Sequence, residues 1–139
     1  MSVSPSAAVL IVCDASALVA LLVDSGSAGS QVADALSGAA IAAPALCHFE
    51  ATNVIRRHER FGTLSSDVAA QAIADLLELP IEEWPYRALA HRAWELRANL
   101  SSYDASYVAL AELLGTELLT LDRRIARAPG LRCAVRVAQ

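Results

Sequence analysis

The sequence predicts a three-layer α/β/α domain with a mostly parallel central sheet. Short apolar runs, typical of buried strands, alternate with longer segments that have the periodicity of helices, and this order is typical of parallel α/β folds. The chain has 139 residues, of which 55% are apolar and 19% are charged. This size and composition predict a single compact domain over residues 1–139 and exclude a disordered chain.

The strands are indicated by short apolar runs that end at turn residues or at acids. Val9–Cys13 is continuously apolar, as expected of a strand that is buried on both faces. Pro44 ends the second run and Pro85 ends the third. In chain order the predicted strands are 9–13, 40–43, 81–84, 117–121 and 133–137.

The helices are indicated by capping residues before them and by glycine or proline after them. Ser65 and Ser101 are suited to capping helix starts, and Gly62 and Gly115 are suited to ending helices. A turn is predicted at 24–29. In chain order the predicted helices are 15–23, 31–36, 45–60, 65–77, 86–100, 103–114 and 122–128.

The absence of lysine excludes several classes of enzyme. All 11 basic residues are arginines. A P-loop needs its lysine on the phosphates and a Schiff-base enzyme needs a lysine amine, so neither class fits. The cysteines, Cys13, Cys47 and Cys133, are widely spaced in apolar sequence and form no CxxC pair. They are predicted to be small core residues, which suits a reducing cytoplasm.

The N-terminal apolar stretch from Ala7 to Val23 does not fit a signal peptide or a membrane span. No basic residue precedes Arg56, and Asp14 lies inside the stretch. We therefore expect a cytoplasmic protein with no membrane partner. The net charge of −4 offers little general attraction for nucleic acid, but arginines cluster at 56–60 and at 123–136. Either cluster can be a phosphate-facing patch or a plain solvated surface.

Four carboxylates are the leading candidates for function: Asp14, Glu50, Asp104 and Asp122. Asp14 and Asp122 directly follow predicted strands, and Asp104 lies at the start of a predicted helix. Glu50 lies in a largely apolar stripe of its helix. Ionised side chains are rarely buried unless they are paired or hold a metal, so these positions call for an explanation.

Each carboxylate also has a structural explanation. Asp14 and Asp122 occupy positions where an N-capping aspartate is common, and Asp104 with Ser101 fits a capping box. Glu50 has a different alternative, which is a buried ion pair with an arginine. These structural roles remain open for each residue considered alone.

The four acids considered together favour a metal site. The carboxyl ends of parallel strands are where open α/β sheets place their ligands, and Ser16 and Thr120 add hydroxyls there. Converging carboxylates repel one another, and a hard divalent cation such as Mg²⁺ or Mn²⁺ is the usual means of neutralising them. Such a site polarises phosphoryl oxygens and activates water.

Other side chains carry weaker signals. Ser16 lacks the GxSxG context of a hydrolase nucleophile. Trp84 and Trp94 are expected in the core, and Tyr103 and Tyr107, which flank Asp104, are assigned to packing.

Four motifs in order resemble those of PIN-domain proteins over nearly the whole chain. They are Val12–Leu18 around Asp14, Pro44–Val54 around Glu50 and Asn53, Ser102–Glu112 around Asp104, and Leu119–Arg124 around Asp122. The compact size and the third motif are most similar to VapC toxins of toxin–antitoxin modules.

This resemblance implies an endoribonuclease that depends on Mg²⁺ or Mn²⁺ and cuts single-stranded or loop RNA. It implies that Asp14 and Asp104 are the principal metal ligands, that Asp122 completes the cluster, and that Glu50 orients or deprotonates the attacking water. It also implies a homodimer and a partner antitoxin of the VapB type.

Competing functions differ in how well they fit. A haloacid-dehalogenase-like phosphatase would need a second acid where the chain has Ser16, and normally a lysine, and a response-regulator receiver also needs a lysine. The alternative that remains is a catalytically silent PIN-like module that binds RNA or protein partners.

Overall fold

A computed structural model describes residues 9–139. Residues 1–8, which include the start of the apolar stretch considered above, lie outside the described residues. The strands are β1 (Val9–Cys13), β2 (Ala39–Pro44), β3 (Ile81–Trp84), β4 (Leu118–Thr120) and β5 (Val135–Val137). The helices are α1 (Ala15–Val23), α2 (Ser27–Leu36), α3 (Cys47–Arg60), α4 (Ser66–Glu78), α5 (Tyr86–Glu95), α6 (Ser102–Leu114) and α7 (Arg123–Arg127).

The five strands form one parallel sheet in the order β3-β2-β1-β4-β5, which confirms the predicted architecture. From β1 the chain moves outward to β2 and β3, and it then returns to place β4 on the other side of β1. Right-handed crossovers therefore put the helices of the two halves on opposite faces of the sheet. The strand order reverses between β1 and β4, and ligands bind at such points in open α/β sheets.

The helices form two groups that match this topology. Helix α1 packs against α2, α3 and α4, whereas α5 packs against α6, and α6 also contacts β1 and β2. The main core lies around the sheet and includes Val12, Leu18 and Leu110. A second apolar cluster joins α1, α3 and α4 and includes Ile55 and Leu76. Both clusters hold the helices that carry the candidate acids.

Helix α2 begins earlier than predicted, because Gly29 was interpreted as part of a turn. Gly29 is instead buried within the helix. A Cβ atom at this position would lie 1.9 Å from the carbonyl oxygen of Asp24 and 2.9 Å from that of Ala20. The glycine is therefore required by the close approach of α2 to the end of α1 rather than by a turn.

Helix α5 ends at Glu95, five residues before the predicted end at position 100. Leu96 and Leu100 continue the apolar spacing of the helix, but the backbone from Leu96 follows tight turns. Trp94 is largely exposed, with the Arg97 guanidinium 4.3 Å from its ring centroid, so its expected place in the core was wrong. None of the helices in the described part of the chain is long and apolar enough to cross a bilayer.

Candidate functional site

Asp14 lies at the centre of the sheet edge where the carboxyl ends of the strands meet. It follows β1 and caps α1, where its Oδ1 accepts a hydrogen bond from the amide of Ala17 at 3.0 Å. The register of β1 with β4 pairs Cys13 with Leu119, so Asp14, the next residue along, lies beside Thr120 at the end of β4. Asp14 is 6% exposed, which makes it the most deeply buried of the four acids.

Two hydroxyls hold both oxygens of the Asp14 carboxylate. Ser16 Oγ donates to Oδ1 at 2.6 Å, and Thr120 Oγ1 donates to Oδ2 at 2.5 Å. Burial raises the pKa of Asp14, and the charge of Asp104 raises it further. The hydrogen bonds from Ser16, Thr120 and Ala17 lower the pKa but do not outweigh burial. The carboxylate is thus positioned by neutral donors, and no arginine within residues 9–139 forms an ion pair with it.

Glu50 is half-buried on the first turn of α3, the helix that follows β2. Tyr107 Oη donates a hydrogen bond to Glu50 Oε1 at 2.7 Å. Burial raises the pKa of Glu50, the Tyr107 bond opposes this, and the charges of Asp104 and Asp14 add to the rise. Among residues 9–139 no arginine pairs with Glu50, so the alternative of a buried ion pair was wrong.

Tyr107, which the sequence context assigned to packing, also contacts a candidate site residue. Its side chain is 1% exposed, and only its hydroxyl has a polar role, as a donor to Glu50. Burial and the neighbouring Glu50 raise the pKa of Tyr107, so it remains a neutral donor. The signal in the sequence was its position three residues after Asp104, which places both side chains on one face of α6.

Asp104 lies in the first turn of α6, and its amide donates to Ser101 Oγ at 3.1 Å. Burial raises the pKa of the Asp104 carboxyl, and the charge of Asp122 adds to this. The Ser101 hydroxyl and the charge of Arg124 act in the opposite direction. Asp104, Asp122 and Arg124 line one surface pocket of about 280 Å³.

Asp122 caps α7, and its carboxylate is fully engaged by one residue. The Arg124 amide donates to Oδ1 at 2.9 Å, Nε donates to Oδ1 at 3.1 Å, and Nη2 donates to Oδ2 at 2.7 Å. These bonds and the positive charge of Arg124 lower the pKa of Asp122. This pairing could not be predicted, because both Arg123 and Arg124 lie close to Asp122 in the chain.

The predicted caps at Asp14 and Asp122 are confirmed, and of the predicted capping box the described residues show the half in which Ser101 accepts from the amide of Asp104. Asp14 and Asp122 each accept from an amide of the helix they precede, and Ser101 caps α6 three residues before Asp104. Capping and site formation therefore occur together, because the N-termini of α1, α6 and α7 point to one edge of the sheet. The amide groups there favour negative charge.

The acids influence one another electrostatically, which fits a site for a divalent cation. Asp14 and Glu50 each experience the charge of Asp104, and Asp104 also experiences that of Asp122. Their oxygens are the ligands that Mg²⁺ and Mn²⁺ prefer. Within residues 9–139, however, no three acidic, histidine or cysteine side chains are arranged to hold a metal ion. The donors suit the cation, but Asp122 is held by Arg124 instead of pointing to a shared centre.

The PIN domain family matches residues 11–131 of this chain. The chain belongs to the PIN-domain family.

Named relatives and solved structures agree with this assignment. Ribonuclease VapC12 of Mycobacterium tuberculosis strain H37Rv is 37% identical over 121 residues, which cover 87% of this chain and 93% of the relative. The crystal structure of PAE2754 from Pyrobaculum aerophilum has a TM-score of 0.66 at 28% identity and covers 91% of this chain and 83% of its own. VapBC2 from Rickettsia felis, bound to a DNA fragment from its promoter, has the same fold, with a TM-score of 0.66 at 12% identity and coverage of 94% and 99%. Within the family, the curated relatives of this chain are thus VapC ribonucleases.

Proposed function

We propose that this protein is an endoribonuclease that depends on Mg²⁺ or Mn²⁺ and acts as the toxin of a VapBC-type toxin–antitoxin system. The observation that carries this function is the set of acids Asp14, Glu50 and Asp104, whose pKa values are all raised where α/β sheets bind ligands. The ribonuclease relatives, which share most of the chain, support the choice of RNA as substrate.

The residues divide the work of phosphodiester hydrolysis. Asp14 and Asp104 are the proposed metal ligands, with Asp122 joining them. A divalent ion there would stabilise negative charge on the phosphate and lower the pKa of water. Glu50 is the proposed acceptor of the proton from the attacking water, because its raised pKa makes it a better base and Tyr107 fixes its orientation.

Helix α3 offers a surface that suits the RNA strand. Arg56, Arg57 and Arg60 are exposed on the helix that carries Glu50, and Phe49 beside Glu50 is 80% exposed. Guanidinium groups bind phosphates, and an exposed aromatic ring can stack with an unpaired base. A single strand fits this arrangement better than an A-form duplex, whose base edges are hard to reach.

Cleavage assays with purified protein test the activity. We expect a mixed-sequence single-stranded RNA to be cut with Mg²⁺ or Mn²⁺ and left intact with EDTA. Asp14→Asn removes a charged ligand and should abolish cleavage, while Asp24→Asn, an exposed acid at the far end of α1, should not. Metal-dependent cleavage that persists in Asp14→Asn would refute the assignment.

The toxin role requires a partner that blocks it. We propose a cytoplasmic homodimer that is held inactive by a VapB-type antitoxin. Expression of the wild-type chain should slow growth, and co-expression of the neighbouring gene product should relieve the effect. If Asp104→Asn slowed growth as much as the wild type, toxicity would not come from cleavage, and the silent binding module would become the better explanation.

A further inference from the structure

The pairing of Asp122 with Arg124 opposes the binding of a metal ion by Asp122. Two carboxylate oxygens accept three hydrogen bonds from this one residue. A carboxylate that is held side-on by a guanidinium has both oxygens occupied and part of its charge neutralised. While this pair persists, Asp122 contributes little to a shared metal centre.

The ion pair between Arg124 and Asp122 is exposed and can be broken easily. Its side chain is 85% exposed, and that of Asp122 is 25% exposed. Exposed ion pairs are weak because water competes for both partners. The hydrogen bond that caps α7 is donated by the backbone amide of Arg124, so it does not depend on the guanidinium. The fork of Arg124 can therefore leave while the helix cap stays.

The place to which Arg124 can move is also defined. It shares the pocket of about 280 Å³ with Asp104 and Asp122, and its charge acts on both acids. In the described part of the chain, no cationic side chain other than Arg124 shifts the pKa of any of the four acids. A substrate phosphate at this pocket would present the oxygen pair that a guanidinium binds in place of a carboxylate.

We propose that Arg124 is an exchangeable positioning residue: its guanidinium pairs with Asp122 when no divalent ion is held, and it transfers to an RNA phosphate when the Asp122 carboxylate binds the ion. The inference rests on the proposed function. Breaking the ion pair thus frees Asp122 for the metal ion and Arg124 for the substrate phosphate.

The proposed exchange predicts that one variant binds Mn²⁺ more tightly and RNA more weakly. Arg124→Ala frees Asp122, so the RNA-free protein should bind Mn²⁺ about three- to fivefold more tightly, as expected from the loss of an exposed ion pair. The same variant loses a phosphate contact, so the KM for RNA at saturating Mn²⁺ should rise about threefold or more, with a weaker dependence on salt. A side chain that serves only to stabilise the fold would not change the two affinities in opposite directions.

Arg123→Ala is the matched control for charge. Arg123 is the adjacent residue on α7 and donates to the side chain of Gln139 instead of to an acid of the site. Removing it changes the net charge equally but leaves the Asp122 pair in place. Arg124→Lys is the conservative variant, which keeps the charge but loses the planar fork, and both of its affinities should lie between those of the wild type and Arg124→Ala.

Two measurements decide the question: calorimetric titration of the RNA-free proteins with Mn²⁺, and KM with a fluorescently labelled mixed-sequence single-stranded RNA. The proposal is supported if Arg124→Ala binds Mn²⁺ more tightly than Arg123→Ala and has a higher KM than the wild type. It is overturned if the Mn²⁺ affinities of these two variants are equal, or if the KM of Arg124→Ala is unchanged. A wild-type protein that binds Mn²⁺ and cuts RNA, with Arg124→Ala unaltered, refutes only the exchange. A wild type that does neither refutes the proposed function as well.

Discussion

The two ends of helix α6 carry acids in opposite electrostatic settings. Asp104 lies in the first turn and Glu112 in the last. The helix dipole alone would favour the charge of Asp104 and disfavour that of Glu112. The pKa values shift the other way, since that of Asp104 is raised and that of Glu112 is lowered. Burial and neighbouring charges therefore outweigh the dipole at both ends.

The difference comes from the partners that each acid has. Glu112 is 10% exposed, and it accepts hydrogen bonds from Arg92 Nε at 2.6 Å and from the amide of Arg132 at 2.7 Å. Burial disfavours its charge, but these bonds more than compensate. The charge of Asp122 disfavours ionisation of Asp104, and the Ser101 hydroxyl and the charge of Arg124, which favour it, do not offset burial. Glu112 is thus paired with a cationic side chain of the fold, whereas within residues 9–139 no arginine forms an ion pair with Asp104.

The largest expected effect is on catalysis at the Asp104 end. Asp104→Asn should reduce RNA cleavage roughly a hundred- to a thousandfold, the scale of losing one group that stabilises a transition state. It should also leave Tm unchanged or raise it by about 2 °C, because it removes an unfavourable charge. Cleavage rates and thermal unfolding of the same preparation measure both. A clear fall in Tm would show that Asp104 is a structural acid after all.

The second prediction concerns the opposite end of the helix. Glu112→Gln should lower the free energy of unfolding by about 2 kcal/mol, because Arg92 would lose its charged partner in a partly buried position. This corresponds to a fall in Tm of about 8 °C. Glu78→Gln, at the exposed end of α4, is the control and should change little. Cleavage per folded molecule should stay within about threefold of the wild type in both variants, since neither acid touches the site.

A third prediction concerns the hydrogen bond that positions Glu50, with Glu50 itself retained. Tyr107→Phe removes only the hydroxyl that donates to Glu50, and cleavage should fall about tenfold, as for the loss of one hydrogen bond to a charged group. Tyr103→Phe is the matched control on the same helix, because Tyr103 is exposed. If the two variants had equal activity, Tyr107 would be a packing residue, as its sequence context suggested.

The smallest effect is the pH dependence of stability, and its sign differs between the two acids. The lowered pKa of Glu112 contributes stability that is present above about pH 4.3, its unfolded value, and is lost as the pH falls through the folded value. The raised pKa of Asp104 makes its ionisation destabilising at neutral pH, and that cost disappears below about pH 3.9. As the pH is lowered from 7 to 3, urea unfolding should therefore show the stability of Glu112→Gln approaching that of the wild type from below and the stability of Asp104→Asn approaching it from above.

The strands and most helix bounds could be predicted because local signals specify them. The apolar run of β1 and the caps Ser65 and Ser101 needed no tertiary information. Gly29 could not be interpreted correctly, because its role depends on how closely α2 approaches α1. Likewise, the apolar spacing through Leu100 gave no sign that α5 stops at Glu95.

That the four candidate acids lie close enough to influence one another could be predicted, but their hydrogen-bond partners could not. Position after a strand or at a helix start identified Asp14, Asp104 and Asp122, and an apolar stripe identified Glu50. Some partners of these acids lie far away in the sequence, and one is selected from two adjacent arginines. Thr120 binding Asp14 and Tyr107 binding Glu50 are contacts of the first kind. The choice of Arg124 over Arg123 by Asp122 is of the second kind.

The contrast between paired and unpaired acids is tested most directly by thermal unfolding in the presence and absence of Mn²⁺, without RNA. Binding to the folded state raises stability by about 2.7 kcal/mol when the ion is at a hundred times its dissociation constant. We predict that Mn²⁺ raises the Tm of the wild type and of Glu112→Gln by similar amounts and leaves that of Asp104→Asn nearly unchanged. A wild-type Tm that does not respond to Mn²⁺, or an equal rise in Asp104→Asn, would contradict the claim that these carboxylates form a site for a divalent cation.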